Sequence, residues 1–413
     1  MKTYNTPIVL KSAIVLCSLL LVVSVNAQDL QTVINEALEN NPEIQKFELK
    51  YGIAKERVNE VNALPNSEIG LAYFVSEPET RTGAQRARLS LRQMIPWFGT
   101  ITARENYMAS MADAQYEDVV ISKRRLMLSV AQSYYNLYAL QAKQAVLLEN
   151  HKLLKTYKTL ALTSVEVGKA SAVAVLRLQM RQNELQQLIA VLEQEYLAEQ
   201  TTINNLLNRE EHKEIEITNQ FDIPDDDTII TNTNLELHPE LLKYNKLYQS
   251  VEQSELLNQK ERAPMLGFGL DYTPVANRTD MNPIDNGKDI LMPMVTFSIP
   301  LFNKSYKSKS KQNQLKQQEI EAEKLERLNM LKTRLDIALK SRASAKITYN
   351  TQLSNLKQAK DAERILIRSY ETGTIDFNDV LDIQELQLKF QMNQIEAVKG
   401  YYIQTTIINY LTN

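Results

Sequence analysis

The chain has 413 residues, 44% of them apolar and 23% charged, and carries only 10 Gly and 12 Pro. These breakers make up roughly 5% of the sequence where about 12% is usual, which excludes a loop-rich barrel, a disordered chain and a Gly-rich nucleotide fold. A net charge of −3 with scattered Lys and Arg leaves no electrostatic footprint for nucleic acid.

Residues 1–27 read as a cleavable secretory signal. Lys2 and Lys11 precede the apolar run from Ala13 to Val23, and Val25-Asn26-Ala27 sets small residues before Gln28. The run is too short to span a bilayer. The single cysteine, Cys17, lies inside it behind Leu16, where a lipid-attachment site would want a small residue. An exported protein of a Gram-negative-type envelope is expected, without disulfide or thiolate metal site and held by packing alone.

Asp29 to Asn62 predicts a helix or helix pair with its boundary at Pro42. Two segments of period two follow, at about 66–76 and 86–96. Ile69, Leu71, Tyr73 and Val75 share one face of the first. In the second, Ala87, Leu89, Leu91 and Ile95 oppose Arg86, Arg88, Ser90 and Arg92, the pattern of strands with one apolar and one watery side. No Gly or Pro then occurs between Gly99 and Gly168, nor between Gly168 and Pro224. Helices of roughly 60 residues would be about 90 Å long. Their seams recur at heptad-like spacing (Leu126, Val130, Tyr134, Leu137; Leu178, Leu185, Leu188, Leu192), and a narrow stripe of this kind stands only when paired. Residues 210–234, with Pro224-Asp225-Asp226-Asp227, predict a solvated linker in preference to a cation site.

The second half repeats the first. Asn41-Pro42-Glu43 recurs as His238-Pro239-Glu240, Gly70-Leu71-Ala72-Tyr73 as Gly269-Leu270-Asp271-Tyr272, and Ile95-Pro96-Trp97-Phe98 as Ile299-Pro300-Leu301-Phe302. All three matches sit roughly 200 residues apart, so residues 28–209 and 235–413 predict a duplicated unit. Strands are expected at about 265–273 and 290–300. Leu266, Phe268, Leu270 and Tyr272 share a face of one, and Leu291, Val295, Phe297 and Ile299 oppose Met292, Met294, Thr296 and Ser298 on the other, with Pro293 a blemish. A breaker-free run then reaches Gly373, and a last seam follows at Leu381, Leu388, Met392 and Ile395.

The expected class is mainly α with a small β part. Four strands cannot close a barrel, so apolar hairpins of this length need copies from other chains, unless they lie against the helices of a soluble α+β protein. Tyr73 and Tyr272 near one end of the strands, with Trp97, Phe98 and Phe302 at the other, are placed as a membrane-interface belt.

The duplicated layout, Ile95-Pro96-Trp97-Phe98-Gly99 closing a hairpin, and Tyr370-Glu371-Thr372-Gly373 leading to Asp379-Val380-Leu381-Asp382-Ile383-Gln384 together resemble the TolC-like outer-membrane efflux proteins. The Pro-Trp-Phe-Gly form looks most like their heavy-metal cation branch, CusC-like or CzcC-like. The resemblance implies a homotrimer with a twelve-stranded membrane barrel and a long helical periplasmic tunnel. It implies a passive exit duct that works with a periplasmic membrane-fusion adaptor and an inner-membrane pump, exporting small molecules or metal cations. A type I protein-secretion conduit shares this fold, and a periplasmic coiled-coil adaptor or scaffold is the alternative of another class.

By the same resemblance Gly168 and Gly373 turn the chain at the periplasmic tips, where the adaptor and the closing aperture are found. Asp379 and Asp382 lie three apart on one helical face, and in the family acids at this distance after the Gly line the constriction. Their alternative role is to oppose a helix dipole, and Asp376 fits capping better. Tyr370 is present, but Ala174 and Ile375 stand where some members place an Asp and an Arg that lock the tip. Closure by apolar packing of Val173, Val175, Ile375 and Phe377 is the expected substitute, and these side chains serve equally as ordinary seam. Arg86, Arg88 and Arg92 would line the barrel lumen or snorkel to head groups. Lys304, Lys307, Lys309 and Lys311 gather where a helix should start, and are either lipid contacts or a solvated run. Met292 and Met294 could pass soft cations or merely fill gaps. His151, His212 and His238 are dispersed and no nucleophile or phosphate motif is present, so neither enzyme activity, cofactor nor stored metal is expected.

Overall fold

A computed structural model of the chain describes residues 29–168, 171–215, 217, 221–225, 234–372 and 374–412. The signal segment and Gly373 lie outside these residues. The elements are α1 (Leu30–Asn40), α2 (Pro42–Val61), β1 (Glu68–Tyr73), β2 (Glu79–Thr80), β3 (Gly83–Ala84), β4 (Ala87–Ile95), α3 (Thr100–Glu166) and α4 (Ala172–Leu206). After a 3-10 turn at Leu235–Leu237 come α5 (Pro239–Glu261), β5 (Met265–Thr273), β6 (Ile290–Ser298), α6 (Ser305–Glu371) and α7 (Phe377–Thr412). The mainly helical class with a small sheet part is as expected, and α3 and α6 each run 67 residues. Among the described residues no helix is long and apolar enough to cross a membrane.

Local chemistry sets the boundaries. Asn41 caps α2, its side chain accepting from the Glu43 amide at 2.8 Å while Pro42 occupies the first turn. His238 performs the same task for α5, with Pro239 following and the Glu240 amide donating to its Nδ1 at 3.3 Å.

The chain divides into two compact units. One takes the residues up to Asn40, Ser129–Asp225 and Ser344–Ile403, and the other Asn41–Leu128, Asp226–Ala343 and Gln404–Asn413. In the first unit Leu147, Leu154, Leu178, Leu185, Leu192, Val380 and Leu388 form the core along α3, α4 and α7. Leu188 departs from the predicted seam and is exposed, because the buried set on α4 keeps a strict seven-residue spacing that skips it. The expected solvated linker is also corrected in part. Ile215 and Ile223 are buried, and Phe221 packs edge-on against Tyr134, Tyr135 and Tyr138, so its apolar residues anchor it despite the acidic run. The second unit has its own core of Leu128, Leu241, Leu331, Leu335, Ile408 and Leu411.

The second unit also holds the sheet, four antiparallel strands in the order β1-β4-β5-β6. A short ribbon, β2 paired with β3, stands in the connection between β1 and β4 and was not foreseen. It is closed by Thr80 donating from Oγ1 to the Gly83 carbonyl, and Gly83 sits at φ 136° against the Ala276 backbone, where no side chain fits.

Candidate functional site: the strand faces and the helical tip

Register decides what the sheet presents. Ile69 pairs with Leu91 and Leu71 with Leu89; Leu91 then pairs with Leu270 and Leu89 with Tyr272; Phe268 pairs with Val295 and Leu266 with Phe297. The apolar sets of all four strands thus fall on one face, as a one-residue slip in any strand would prevent. That face is open: Leu71 is 83% exposed and Phe297 62%. Pro293 pairs with Leu270 on the edge strand β6, where its missing N–H is tolerated. Among the described residues β1 and β6 each have one edge without a strand neighbour.

The opposite face carries Arg88, Ser90, Arg92, Met94, Asp271, Met292, Met294 and Thr296 at alternating positions. Arg88 Nε lies 3.8 Å from Oδ2 of the buried Asp271. Arg86, just before β4, meets Glu77 at 3.5 Å. A Cβ at Gly267 would stand 2.6 Å from the Met94 sulfur, so a larger residue there would need the Met94 side chain to shift. Tyr73 ends β1 and Tyr272 lies near the end of β5, its hydroxyl donating to Asp289. Beyond the other end of the sheet Trp97 and Phe98 pack edge to face at 5.8 Å, and Phe302 is 95% exposed. Predicted belt residues therefore sit at both ends of the exposed apolar face.

In the first unit, α3 gives way at Gly168, whose φ of 70° and hydrogen bond from its amide to the Val165 carbonyl end the helix in a left-handed turn. Ser171 then caps α4 through the Val173 amide. On the second hairpin the Thr374 amide reaches back to the Ser369 carbonyl at 3.0 Å, and Asp376 accepts from the Asn378 amide, which makes it the cap of α7. Asp379 and Asp382 are both exposed, while Phe377 and Val380 between and before them are buried. Tyr370 packs on Phe377 at 4.9 Å, and its buried hydroxyl finds no hydrogen-bond partner among the described residues. Ala174 and Ile375, the residues at the expected lock positions, have no side-chain group that could hydrogen-bond to it. Val175, Ile375 and Phe377 do join the apolar core, but Val173 is exposed.

A polar cluster that the sequence analysis did not single out lies a few turns from this hairpin. The Glu363 carboxylate accepts from Tyr157 Oη at 2.7 Å, from Gln387 Nε2 at 2.8 Å and from Gln384 Nε2, tying α6 to α3 and α7. Burial pushes the Tyr157 hydroxyl up, and the Glu363 contact adds to it. Gln384 and Gln387 are buried polar residues beside the seam, and that departure from the apolar stripe is the one sequence signal they leave.

The His238-Pro239-Glu240 motif proves to be internal to the second unit. Glu240 accepts from Arg125 and Tyr410 and contacts the Arg327 guanidinium. Burial alone would raise its carboxyl, but the Arg125 and Tyr410 hydrogen bonds and the Arg327 charge outweigh this and hold it below the ordinary carboxylate range. His238 Nε2 faces the Tyr410 carbonyl at 3.3 Å, and burial, only partly offset by Glu240, lowers its pKa. Among the described residues no group of three His, Cys, Asp or Glu could hold a metal ion.

Residues 33–209 match the outer membrane efflux protein family. No curated protein matches the chain in sequence. In fold it is similar to CusC, with a TM-score of 0.75 at 14% identity over 93% of this chain and 92% of that one. It is similar to the outer membrane protein VceC of Vibrio cholerae, with a TM-score of 0.72 at 16% identity over 93% and 96% of the two chains. The MtrE outer membrane channel of Neisseria gonorrhoeae gives 0.71 at 13% identity over 93% and 88%. The three are nearly equal, so the fold does not single out the metal-cation branch. The chain thus matches the outer membrane efflux protein family in sequence over residues 33–209, and over nearly its whole length it has the fold of these TolC-like channels.

Proposed function

We propose that this protein is the outer-membrane channel of a tripartite efflux system, a passive homotrimeric exit duct coupled through a periplasmic adaptor to an inner-membrane pump, with small molecules or metal cations as cargo. The observation that carries this is the sheet: one face apolar and exposed, the other polar, and both outer edges unpaired. Such a sheet is unstable alone in water or lipid and is satisfied when identical copies close it into a barrel. In this reading Arg86, Arg88 and Arg92 line the lumen, Tyr73, Trp97, Phe98, Tyr272 and Phe302 sit at the membrane interfaces, Asp379, Asp382 and Tyr370 belong to the periplasmic aperture, and the tips at Gly168, Gly373 and Ile375 meet the adaptor. The experiment is fractionation. A heat-resistant trimer extracted from outer membranes by detergent is expected, and a soluble periplasmic monomer would overturn the reading.

A further inference from the structure

We propose that Lys304, Lys307 and Lys311 form a strip that binds the head groups of anionic phospholipid; this rests on the outer-membrane reading above. Lys304 precedes α6, and Lys307 and Lys311 continue its line at helical spacings of three and four, so the three ammonium groups share one side. The opposite side is taken. Tyr306, Ser310 and Asn313 face α5, where Asn258 donates to the Tyr306 carbonyl and the Ser310 hydroxyl at 3.0 Å each, and Asn313 donates to Glu255 at 2.8 Å. The lysine strip therefore points away from α5. All three side chains are exposed, and among the described residues none has a carboxylate within ion-pair distance; Lys311 has only a hydrogen bond to the Gln314 side chain.

Two further observations give the strip a partner. It begins two residues after Phe302, at the end of the exposed apolar run Ile299, Leu301 and Phe302, so apolar and cationic surface adjoin as they do where a protein passes from hydrocarbon into head groups. The charge is also not a requirement of the helix itself. Cations in a first turn oppose the helix dipole. The corresponding start of α3 after Trp97-Phe98 carries one base in its first turns, Arg104, and Glu261 neutralises it at 3.0 Å. An acid-free cationic strip beside an apolar rim is complementary to an anionic lipid surface.

The test uses the full-length protein purified in detergent, with phosphatidylglycerol and phosphatidylcholine as probes, and counts bound lipid by native mass spectrometry. Wild type is expected to retain phosphatidylglycerol in preference to phosphatidylcholine. The triple variant Lys304→Gln, Lys307→Gln, Lys311→Gln should lose at least about ten-fold of that preference, at roughly five-fold per lysine near an anionic surface. The Lys→Arg triple variant should retain it, because the charge remains, and Lys357→Gln with Lys360→Gln, two exposed lysines much later in α6, should leave it unchanged. Equal phosphatidylglycerol binding by wild type and the Gln triple variant, both trimeric in outer-membrane extracts, would overturn the lipid strip alone. A wild-type protein that does not fractionate with membranes would overturn the outer-membrane reading instead.

Discussion

A carboxylate can be taken out of water only where its charge is matched. Glu240 meets that condition with Arg125 at 2.8 Å, the Arg327 guanidinium and the Tyr410 hydroxyl at 2.7 Å. The neighbouring His238 has a fixed tautomer: its Nδ1 accepts the Glu240 amide, which leaves Nε2 to carry the proton and donate to the Tyr410 carbonyl. A second proton would abolish the α5 cap. The signs of the two shifts then agree. His238 is lowered in the folded chain, so the unfolded chain binds its proton first, and stability falls as pH drops below the ordinary value of 6.5. Glu240 is lowered too, so its contribution is present above the ordinary value of 4.5 and is lost as pH falls through the folded pKa. The thermal midpoint should therefore decline in two stages on acidification. His238→Asn, which keeps a capping side chain of the kind Asn41 supplies to α2, should flatten the first stage, between about pH 7 and pH 5. A midpoint that declines equally in wild type and variant over that range would remove His238 as the cause.

At the scale of elements the breakers act as positional signals. Gly168 turns the end of α3 at φ 70°, and a Cβ there would meet nothing within 4 Å. The penalty for Gly168→Ala is therefore backbone strain alone, about 1–2 kcal/mol, and Gly168→Asn should cost less because Asn tolerates this conformation. Hydrogen exchange over the last turn of α3 would report it as faster opening in the Ala variant, and unchanged rates would contradict the left-handed turn. The helices and the four main strands were legible in advance because Gly and Pro punctuate the chain and because periods of two and of about seven are local. The order in which the strand pairs adjoin, β4 against β5, left no such trace. Neither did the Glu363 cluster: Tyr157 and Glu363 meet across a separation of 206 residues, and a pairing that distant imposes no spacing a sequence can display. Leu188 shows the converse limit, since it fits a heptad-like list and yet is exposed once the helix takes its neighbours. At the tip, the apolar character of Ala174 and Ile375 was visible in the sequence, whereas the unpartnered Tyr370 hydroxyl required coordinates.

For the whole molecule the question is what a threefold assembly would do with its exposed acids. Asp379 and Asp382 have no cation within ion-pair distance among the described residues, and Asp376 already caps α7. If Asp379 served only the helix, it would offset a dipole equivalent to about half a charge and contribute about 0.3–1 kcal/mol to stability. Repeated three times around a narrow aperture, the two positions would instead form adjoining rings of carboxylates whose field draws cations and repels anions. The two roles separate by measurement. In planar bilayers under a salt gradient, the proposed trimer with Asp379→Asn and Asp382→Asn should lose cation preference, with its reversal potential moving toward the anion side, where the arginines proposed to line the lumen would dominate. Asp376→Asn should leave that potential in place, because Asn caps a helix as well as Asp does. The carboxylates act at the aperture only if the double variant moves the potential and the Asp376 variant does not; a double variant that lowers thermal stability slightly and leaves selectivity untouched assigns them to the helix.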